Sequence, residues 1–164
     1  MNIKLIVIGK TVKGFIDEGV NEYFSRLKHY INFSIEVIND VKNVKNLSSS
    51  QLKELEGECL LNFLEKNQLT AKNSSLVILL DEHGKEMKST VFAEYLQKQM
   101  NLGLKNLVFV VGGAFGFSDN IKDKFKDKIS ISQMTFSHQM IRLLFTEQLY
   151  RAFTIIKNEP YHNE

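Results

Sequence analysis

The residues whose types could do chemistry are concentrated in the last part of the chain, from Ser130 to Glu164. A β-like run, Ile129 to Ser132, passes into a loop of small hydroxyl-bearing and apolar residues, and a helix then begins near Ser137. His138 can exchange a proton near neutral pH, and the planar guanidinium of Arg142 suits a phosphate or a carboxylate. This combination predicts a ligand-binding loop that leads into a helix with reactive side chains.

Three predicted strand ends carry residues of similar interest. They are Leu80-Asp81 leading into Gly84, Val111-Gly112-Gly113, and Ile131 to Phe136. Ligands of open α/β sheets bind beyond the carboxyl ends of the strands, so we expect these three ends to converge on one pocket. Two interpretations of Gly112-Gly113 stay open: a close approach of the backbone to a ligand, and a tight turn without one.

Several common motifs are absent. Gly9-Lys10-Thr11 resembles the end of a P-loop, but Lys4 stands where its first glycine is required, and Gly112 to Gly116 lacks G-x-G-x-x-G spacing. The four histidines and the single cysteine, Cys59, lack zinc-binding spacing, and no nucleophile elbow accompanies Ser137-His138. NTPases, kinases, nicotinamide enzymes, metal sites, disulfides and serine hydrolases are therefore disfavoured.

The apolar patterning predicts an α/β domain with a mainly parallel sheet and helices on both faces. The predicted strands are Lys4–Ile8, Phe33–Ile38, Ser75–Leu80, Leu107–Val111 and Ile129–Ser132, and the predicted helices span about 14–29, 48–67, 89–100, 118–126 and 137–157. Asp81 is expected to stop the third strand, and 39–50 is expected to be a polar loop. No repeat or linker divides the chain, so residues 1–164 are predicted to form a single domain.

The charge balance is nearly even. The formal net charge of +2 is too small to indicate nucleic acid by itself, and two of only three arginines, Arg142 and Arg151, lie on the predicted C-terminal helix. The apolar N-terminal run is too short for a signal peptide, and no stretch approaches the roughly 18 apolar residues of a membrane span. The sequence therefore predicts a soluble, cytoplasmic protein without membrane contact.

The predicted C-terminal helix has two apolar stripes. The first is expected to face the sheet and consists of Ile141, Leu144, Phe145, Leu149, Ala152 and Ile156. The second extends the apolar arc and consists of Met140, Leu143, Tyr150 and Phe153. We expect the second stripe to pack against another copy of the chain, with burial inside one chain as the alternative.

Segments spread over the whole chain carry a family resemblance. They are Ile6 to Lys10, Leu80-Asp81 with Gly84-Lys85, Phe109 to Ala114, Ser130 to Phe136, His138 to Arg142, Glu147 to Phe153 and Pro160 to His162. With these residues the sequence resembles the RlmH (YbeA-like) family of SPOUT-class RNA methyltransferases. The C-terminal stretch is the most specific part of the match.

The resemblance implies a small homodimer whose C-terminal segment is threaded into a trefoil knot, a rare exception among protein folds. It implies that S-adenosylmethionine binds, in a bent conformation, within that knot. The implied reaction is methylation of N3 of a pseudouridine in helix 69 of 23S rRNA, on the assembled ribosome.

The same resemblance assigns residues to the site. The implied cofactor-binding residues are Leu80, Gly112, Ile131, Ser132, Gln133, Met134, Thr135 and Phe136. The candidate catalytic residues are His138, Arg142, Tyr161 and His162. The two histidines are candidates to accept the imide proton or to orient the acceptor, whereas Tyr161 and Arg142 are candidates to hold the base or its phosphate. The alternatives are a simple hydrogen-bonding role for His138 at the helix start and a frayed terminus for Tyr161-His162.

Three positions depart from the family pattern. Ser137 stands where proline is usual and is expected to loosen the helix start, and Phe115 replaces a polar or acidic residue. Asn163 stands where a basic residue is frequent, which is expected to weaken one phosphate contact. Two other functions stay open: methylation of a tRNA nucleotide, and a non-catalytic ribosome-binding or assembly protein that retains the fold. Cofactor binding distinguishes the enzymes from the latter.

Overall fold

Strands and helices alternate along the chain in a computed structural model that describes residues 1–42 and 44–162. The strands are β1 Asn2–Ile8, β2 Asn32–Ile38, β3 Ser75–Glu86, β4 Asn106–Val111 and β5 Lys128–Ser130. The α-helices are α1 Phe15–Leu27, α2 Ser49–Lys66, α3 Ser89–Asn101, α4 Asp119–Lys124 and α5 His138–Ile156. Short 3₁₀ turns at Val44–Asn46 and Ala71–Asn73 precede α2 and β3. Among the described residues, none of the helices combines the length and apolar character needed to cross a bilayer.

The five strands form one parallel sheet in the order β2-β1-β4-β3-β5. Both faces of the sheet are apolar, because successive side chains of a strand point in opposite directions and the strands are apolar at successive positions. In β1, Leu5 and Val7 face a core that includes α1, α3 and α5, whereas Ile6 faces a second core that includes α2 and α4. The predicted parallel sheet with helices on both faces is therefore confirmed.

The third strand is longer than the sequence predicts. Leu80 and Lys85 both pair with Ile129, so the four residues between them leave the ladder as a bulge, Asp81–Gly84. Polar residues are tolerated there because they lie outside the paired segments. Gly84 passes so close to β5 that a Cβ atom on it would lie 2.6 Å from the backbone nitrogen of Ile129. The prediction that Asp81 ends this strand is wrong.

Other boundaries differ by a few residues. Strand β5 ends at Ser130 instead of Ser132, because the hydroxyl of Ser130 donates to the carbonyl of Ser132 (2.8 Å) and the chain turns. Helix α4 ends at Lys124, and Phe125 is already extended. Helix α2 begins with a capping box: the hydroxyl of Ser48 accepts from the backbone N–H of Gln51 (3.2 Å), whose side chain accepts from the backbone N–H of Ser48 (2.9 Å).

Helix α1 covers most of the second apolar stripe of α5 within the same chain. Leu143 lies so close to Gly19 that a Cβ atom there would stand 2.8 Å from its Cδ1. The ring of Tyr150 packs against Tyr23, with centroids 5.9 Å apart, and Phe153 is only 3% exposed. Leu143, Tyr150 and Phe153 are therefore covered at least in part within the same chain, as the alternative expected. Leu143 and Tyr150 keep partly exposed surface, and packing of the stripe against another copy stays a prediction.

Candidate active site

A cavity of about 590 Å³ lies at the carboxyl edge of the sheet, where β4 and β5 end and β3 forms its bulge. Its walls come from the β3 bulge, the loop from Val111 to Phe117, the loop after β5 and the first turn of α5. The predicted convergence of three strand ends is confirmed. Of the predicted cofactor-binding residues, the cavity is lined by Leu80, Gly112, Ile131, Ser132, Met134, Thr135 and Phe136.

The loop after β4 is a tight turn that also forms a cavity wall. The backbone N–H of Gly116 donates to the carbonyl of Gly113 (3.1 Å), and Gly116 has a φ of 75° that favours glycine. A Cβ atom on Gly112 would lie 3.1 Å from the carbonyl carbon of Gly116. The loop is thus a tight turn, as one interpretation of Gly112-Gly113 expected, and its backbone also lines a cavity that a ligand could occupy, as the other requires. Phe115 lies at the mouth of the cavity and is 56% exposed.

The loop after β5 is tied to the β3 bulge by side-chain hydrogen bonds. The hydroxyl of Thr135 donates to Glu82 (2.9 Å), and the amide of Gln133 donates to Glu86 (3.0 Å). Gln133 is therefore turned toward β3 and does not line the cavity, unlike the seven other predicted cofactor-binding residues. Glu82 was missed in the sequence because the bulge was taken for a strand end.

Ser137 caps the helix that carries the candidate catalytic residues. Its hydroxyl accepts a hydrogen bond from the backbone N–H of Met140 (3.2 Å), which satisfies one of the free donors at the start of α5. The expectation that serine at this position loosens the helix start is therefore not met. This cap places His138 in the wall of the cavity.

The hydrogen bonds of Gln139 determine which ring nitrogen of a neutral His138 carries the proton. The amide oxygen of Gln139 accepts from the N–H of Val12 (3.0 Å), and its nitrogen donates to the carbonyl of Lys10 (3.2 Å), so the amide has one allowed orientation. The same nitrogen lies 3.1 Å from Nε2 of His138, which must accept. A neutral ring then carries its proton on Nδ1.

The electrostatic surroundings also favour a neutral imidazole. Burial lowers the pKa of His138, the charge of Arg142 lowers it further, and Asp40 opposes both effects. At neutral pH this side chain is therefore uncharged and presents an N–H donor from Nδ1.

Arg142 is turned into the protein and does not line the cavity. It is 1% exposed, and its guanidinium donates to the carbonyls of Ile8 (2.6 Å) and Gly9 (3.0 Å) and to the hydroxyl of Thr11 (3.2 Å). Burial lowers its pKa, and Asp40 opposes this shift. The guanidinium therefore links α5 to the end of β1 by hydrogen bonds. This geometry gives no support to the predicted contact of Arg142 with a base or phosphate.

Tyr161 and His162 fold back along α5 and contact its middle turns. The hydroxyl of Tyr161 donates to Glu147 (3.2 Å), its ring lies under the guanidinium of Arg151 (4.8 Å), and Nδ1 of His162 is 3.5 Å from that guanidinium. Burial is the first cause of the raised pKa of Tyr161. Tyr161 is therefore docked on α5, and the alternative of a frayed terminus does not apply to it. Asn163, for which a weakened phosphate contact was expected, lies outside the described residues.

The four candidate catalytic residues are therefore not brought together within one chain. Glu147, to which Tyr161 is bound, follows His138 by nine residues of α5, or roughly 13 Å along the helix axis at about 1.5 Å per residue. Only His138 reaches the cavity. In residues 1–42 and 44–162, no group of three or more histidine, cysteine, aspartate or glutamate side chains is placed to hold a metal ion.

Glu56 on α2 is a further residue that sequence reasoning missed. Its side chain is 7% exposed, and no partner for Oε2 is found among the described residues. Burial raises its pKa, and the charge of Asp40 raises it further. The spacing contains the signal, because Glu56 falls four residues after Leu52 and four before Leu60, on the apolar face of the helix.

Known proteins similar to this chain agree with the geometry. A family described as "Predicted SPOUT methyltransferase" matches residues 1–162. Proteins named ribosomal RNA large subunit methyltransferase H are similar over the whole length of both chains: 56% identical in Parabacteroides distasonis, 55% in Flavobacterium psychrophilum and 48% in Bacteroides thetaiotaomicron. The resemblance noted in the sequence is confirmed, and the chain belongs to the SPOUT methyltransferase family.

Proposed function

We propose that this chain uses S-adenosylmethionine to methylate N3 of a pseudouridine in helix 69 of 23S rRNA on the assembled ribosome. The observation that carries the proposal is the cavity at the carboxyl edge of the sheet, built from three loops in a chain that shares full-length identity of 48–56% with large-subunit rRNA methyltransferases. The precise nucleotide and the cofactor are inferred from the family resemblance.

The residues of the cavity fit the cofactor. Its volume lies within the range of small-molecule sites, roughly 300–1,000 Å³, and its walls combine apolar side chains with loop backbone. Leu80, Gly112 and the segment from Ile131 to Phe136 would hold the adenosine, and Glu82 in the bulge adds negative charge suited to a cationic sulfonium. When bound, S-adenosylmethionine supplies an electrophilic methyl group for in-line transfer to a positioned acceptor.

His138 is proposed to orient the acceptor. Its Nδ1–H is free to donate to a carbonyl of the target base, whereas its Nε2 lone pair is already used by Gln139. This arrangement favours the orienting role over the proton-accepting role among those expected from the sequence. Arg142 is proposed to act indirectly, by holding the turn from Gly9 to Thr11 beside His138.

The homodimer and the knot belong to the same proposal. In its docked position the tail of one chain lies against the middle of α5 and does not line its own cavity, so Tyr161 and His162 would serve the cavity of a second copy. Exposed apolar side chains near the cavity, among them Met134 (73%) and Phe136 (37%), are available to such a copy. Threading of the C-terminal segment as a trefoil knot is proposed from the family resemblance.

The ribosome is proposed to supply most of the substrate recognition. The formal net charge is only +2, and the basic residues near the active site include Lys10 and Lys13 in an exposed turn. We therefore expect weak, steeply salt-dependent binding to naked RNA. A cytoplasmic location, expected from the sequence, follows for an enzyme whose substrate is the ribosome.

The decisive experiment is calorimetric titration of the purified protein with S-adenosylmethionine, beside a methyl-transfer assay on intact ribosomes from a strain that lacks the modification. Binding together with transfer to helix 69 is the expected result. Binding without transfer would show that the proposed acceptor is wrong. Absence of binding would refute the enzyme and favour a non-catalytic ribosome-binding protein.

A further inference from the structure

We infer that Glu56 is a positioning residue of the cofactor cavity, whose buried carboxyl group packs against Gly113 and holds the loop from Val111 to Phe117 in the shape that lines the cavity. The inference rests on the proposed function, because it concerns the affinity of this cavity for S-adenosylmethionine. Glu56 itself does not line the cavity, so it would act through the loop.

The contact between Glu56 and Gly113 leaves no space for a side chain. A Cβ atom on Gly113 would lie 2.5 Å from Oε1 and 2.7 Å from Cδ of Glu56. Gly113 does not have positive φ, so its backbone conformation is open to other residues. The requirement for glycine at this position is therefore steric, and the carboxyl group of Glu56 sets it.

The other end of the loop is held by the neighbouring residue of α2. A Cβ atom on Gly57 would lie 2.9 Å from Cγ1 of Ile121 and 3.1 Å from the hydroxyl oxygen of Ser118, the residue that precedes α4. Ser118 is 2% exposed. Glu56 and Gly57 thus contact the loop near its first residues and immediately after its last, which fixes both ends against α2.

The chemical environment of the carboxyl group favours its neutral form. Oε2 of Glu56 and the hydroxyl of Ser118 are buried, and neither has a hydrogen-bond partner among the described residues. An ionised carboxylate is costly in such a place. The charged group that acts on it is Asp40, in the loop after β2, while its neighbours in the β4 loop and at the start of α4, Gly113 and Ser118, are uncharged.

A double-mutant cycle tests whether Glu56 acts through Gly113. Calorimetry would measure the affinity for S-adenosylmethionine of Glu56→Ala, Gly113→Ala and the double variant. Each single change is expected to weaken binding about tenfold, and the double variant is expected to bind no more weakly than either, since removal of the carboxyl makes space for the new methyl group. Losses that multiply to about a hundredfold would overturn the inference.

Two further variants separate positioning from general stability. Glu56→Gln keeps the shape without the charge, so its affinity is expected to stay within about threefold of the wild type and to lack the decline that the wild-type affinity shows as pH rises through the raised pKa of Glu56. Glu58→Gln, on the exposed side of the same helix, is the matched control and is expected to change nothing. Equal pH profiles for wild type and Glu56→Gln would contradict the neutral form.

Hydrogen exchange without any ligand decides the inference independently of the proposed function. Amides of residues 111–117 are expected to exchange about tenfold faster in Glu56→Ala than in the wild type, with those of α3 unchanged. If the wild type does not bind S-adenosylmethionine, the proposed function fails, but unchanged exchange in the loop is what would refute the role of Glu56. If Glu56→Ala does not fold, Gly113→Ala, which displaces the same carboxyl, provides the comparison.

Discussion

Replacement of Arg142 by alanine tests whether the fastening of α5 to β1 is separate from cofactor binding. The guanidinium is fully buried, and it donates to two backbone carbonyls and one hydroxyl, all at or just beyond the end of β1. The substitution would leave the carbonyls of Ile8 and Gly9 without these donors. It would also free the turn that contacts Gln139 and, through it, His138.

The expected loss of stability follows from these contacts. Removing one partner of a buried charged network costs roughly 3–5 kcal/mol, and relief of the desolvation that lowers the pKa of Arg142 offsets part of this. We therefore expect a loss of about 3 kcal/mol. In a chain of this size each kcal/mol shifts Tm by about 2–4 °C, so Tm should fall by about 6–12 °C.

Three measurements make the prediction specific. Thermal unfolding followed by circular dichroism gives Tm, calorimetry well below Tm gives cofactor affinity, and transfer to ribosomes gives turnover. We expect affinity within about threefold of the wild type and turnover reduced by tenfold or more. The Tm and turnover of Arg142→Lys are expected to lie between those of the wild type and Arg142→Ala, because one ammonium group cannot replace a planar guanidinium that reaches two carbonyls.

Arg26→Ala is the matched control. Arg26 is paired with Glu22 on the surface of α1, with 44% of its side chain exposed, and its loss is expected to leave Tm nearly unchanged. A change of less than about 1 kcal/mol for Arg142→Ala would refute the structural role assigned to its guanidinium. Parallel losses of affinity and turnover would instead place Arg142 in the support of the cofactor cavity.

Three other predictions concern the helix cap, the tail and pH. Ser48→Ala is expected to cost about 1 kcal/mol in thermal unfolding, because it removes the capping box of α2, whereas Ser50→Ala should be nearly neutral. Deletion of residues 161–164 is expected to preserve the proposed dimer, measured by sedimentation, and the cofactor affinity, while methyl transfer to ribosomes is lost. Full transfer by the truncated chain would show that the tail has no part in the reaction. The lowered pKa of His138 means that the unfolded chain binds more protons between that pKa and the ordinary value of 6.5, so stability should rise with pH through this window. In His138→Gln the free energy of unfolding should change less with pH in this window. A pH dependence equal to that of the wild type would contradict the lowered pKa of His138.

Much of the fold was predictable because its strands are continuous apolar runs. Ser75 to Leu80 and Leu107 to Val111 have few polar interruptions, which is typical of strands covered on both faces, and both are central in the sheet. The convergence of their ends followed from the parallel arrangement. The walls of the cavity were therefore located from the sequence to within a few residues.

The bulge in β3 was not predictable from local pattern. Asp81 to Gly84 has the composition of a turn, and only the pairing of Lys85 with Ile129 shows that the strand resumes. The continuation of β3 beyond the bulge depends on its register with β5, which is distant in sequence, and the residue pattern within β3 does not indicate it.

The roles of long side chains were also beyond the sequence. Arg142 was expected to face a phosphate because arginine suits one, but the carbonyls at the end of β1 satisfy the same fork. The position of Tyr161 depends on Glu147, Arg151 and Tyr23, which come together only when α1 packs on α5. Tertiary contacts decided both cases.

The distal part of β3 has a consequence for the order in which the chain assembles. Its pairing with β4 ends at Leu80. Within residues 1–42 and 44–162, the strand partners of Lys85 and Glu86 are Ile129 and Ser130 of β5, which lie 44 residues later in each case (129 − 85 and 130 − 86). During synthesis this segment therefore has no strand partner until the final third of the chain has been made. Because distant pairings form late, completion of the sheet edge and of the cavity wall belongs to the last stage of folding, after the central strands have paired.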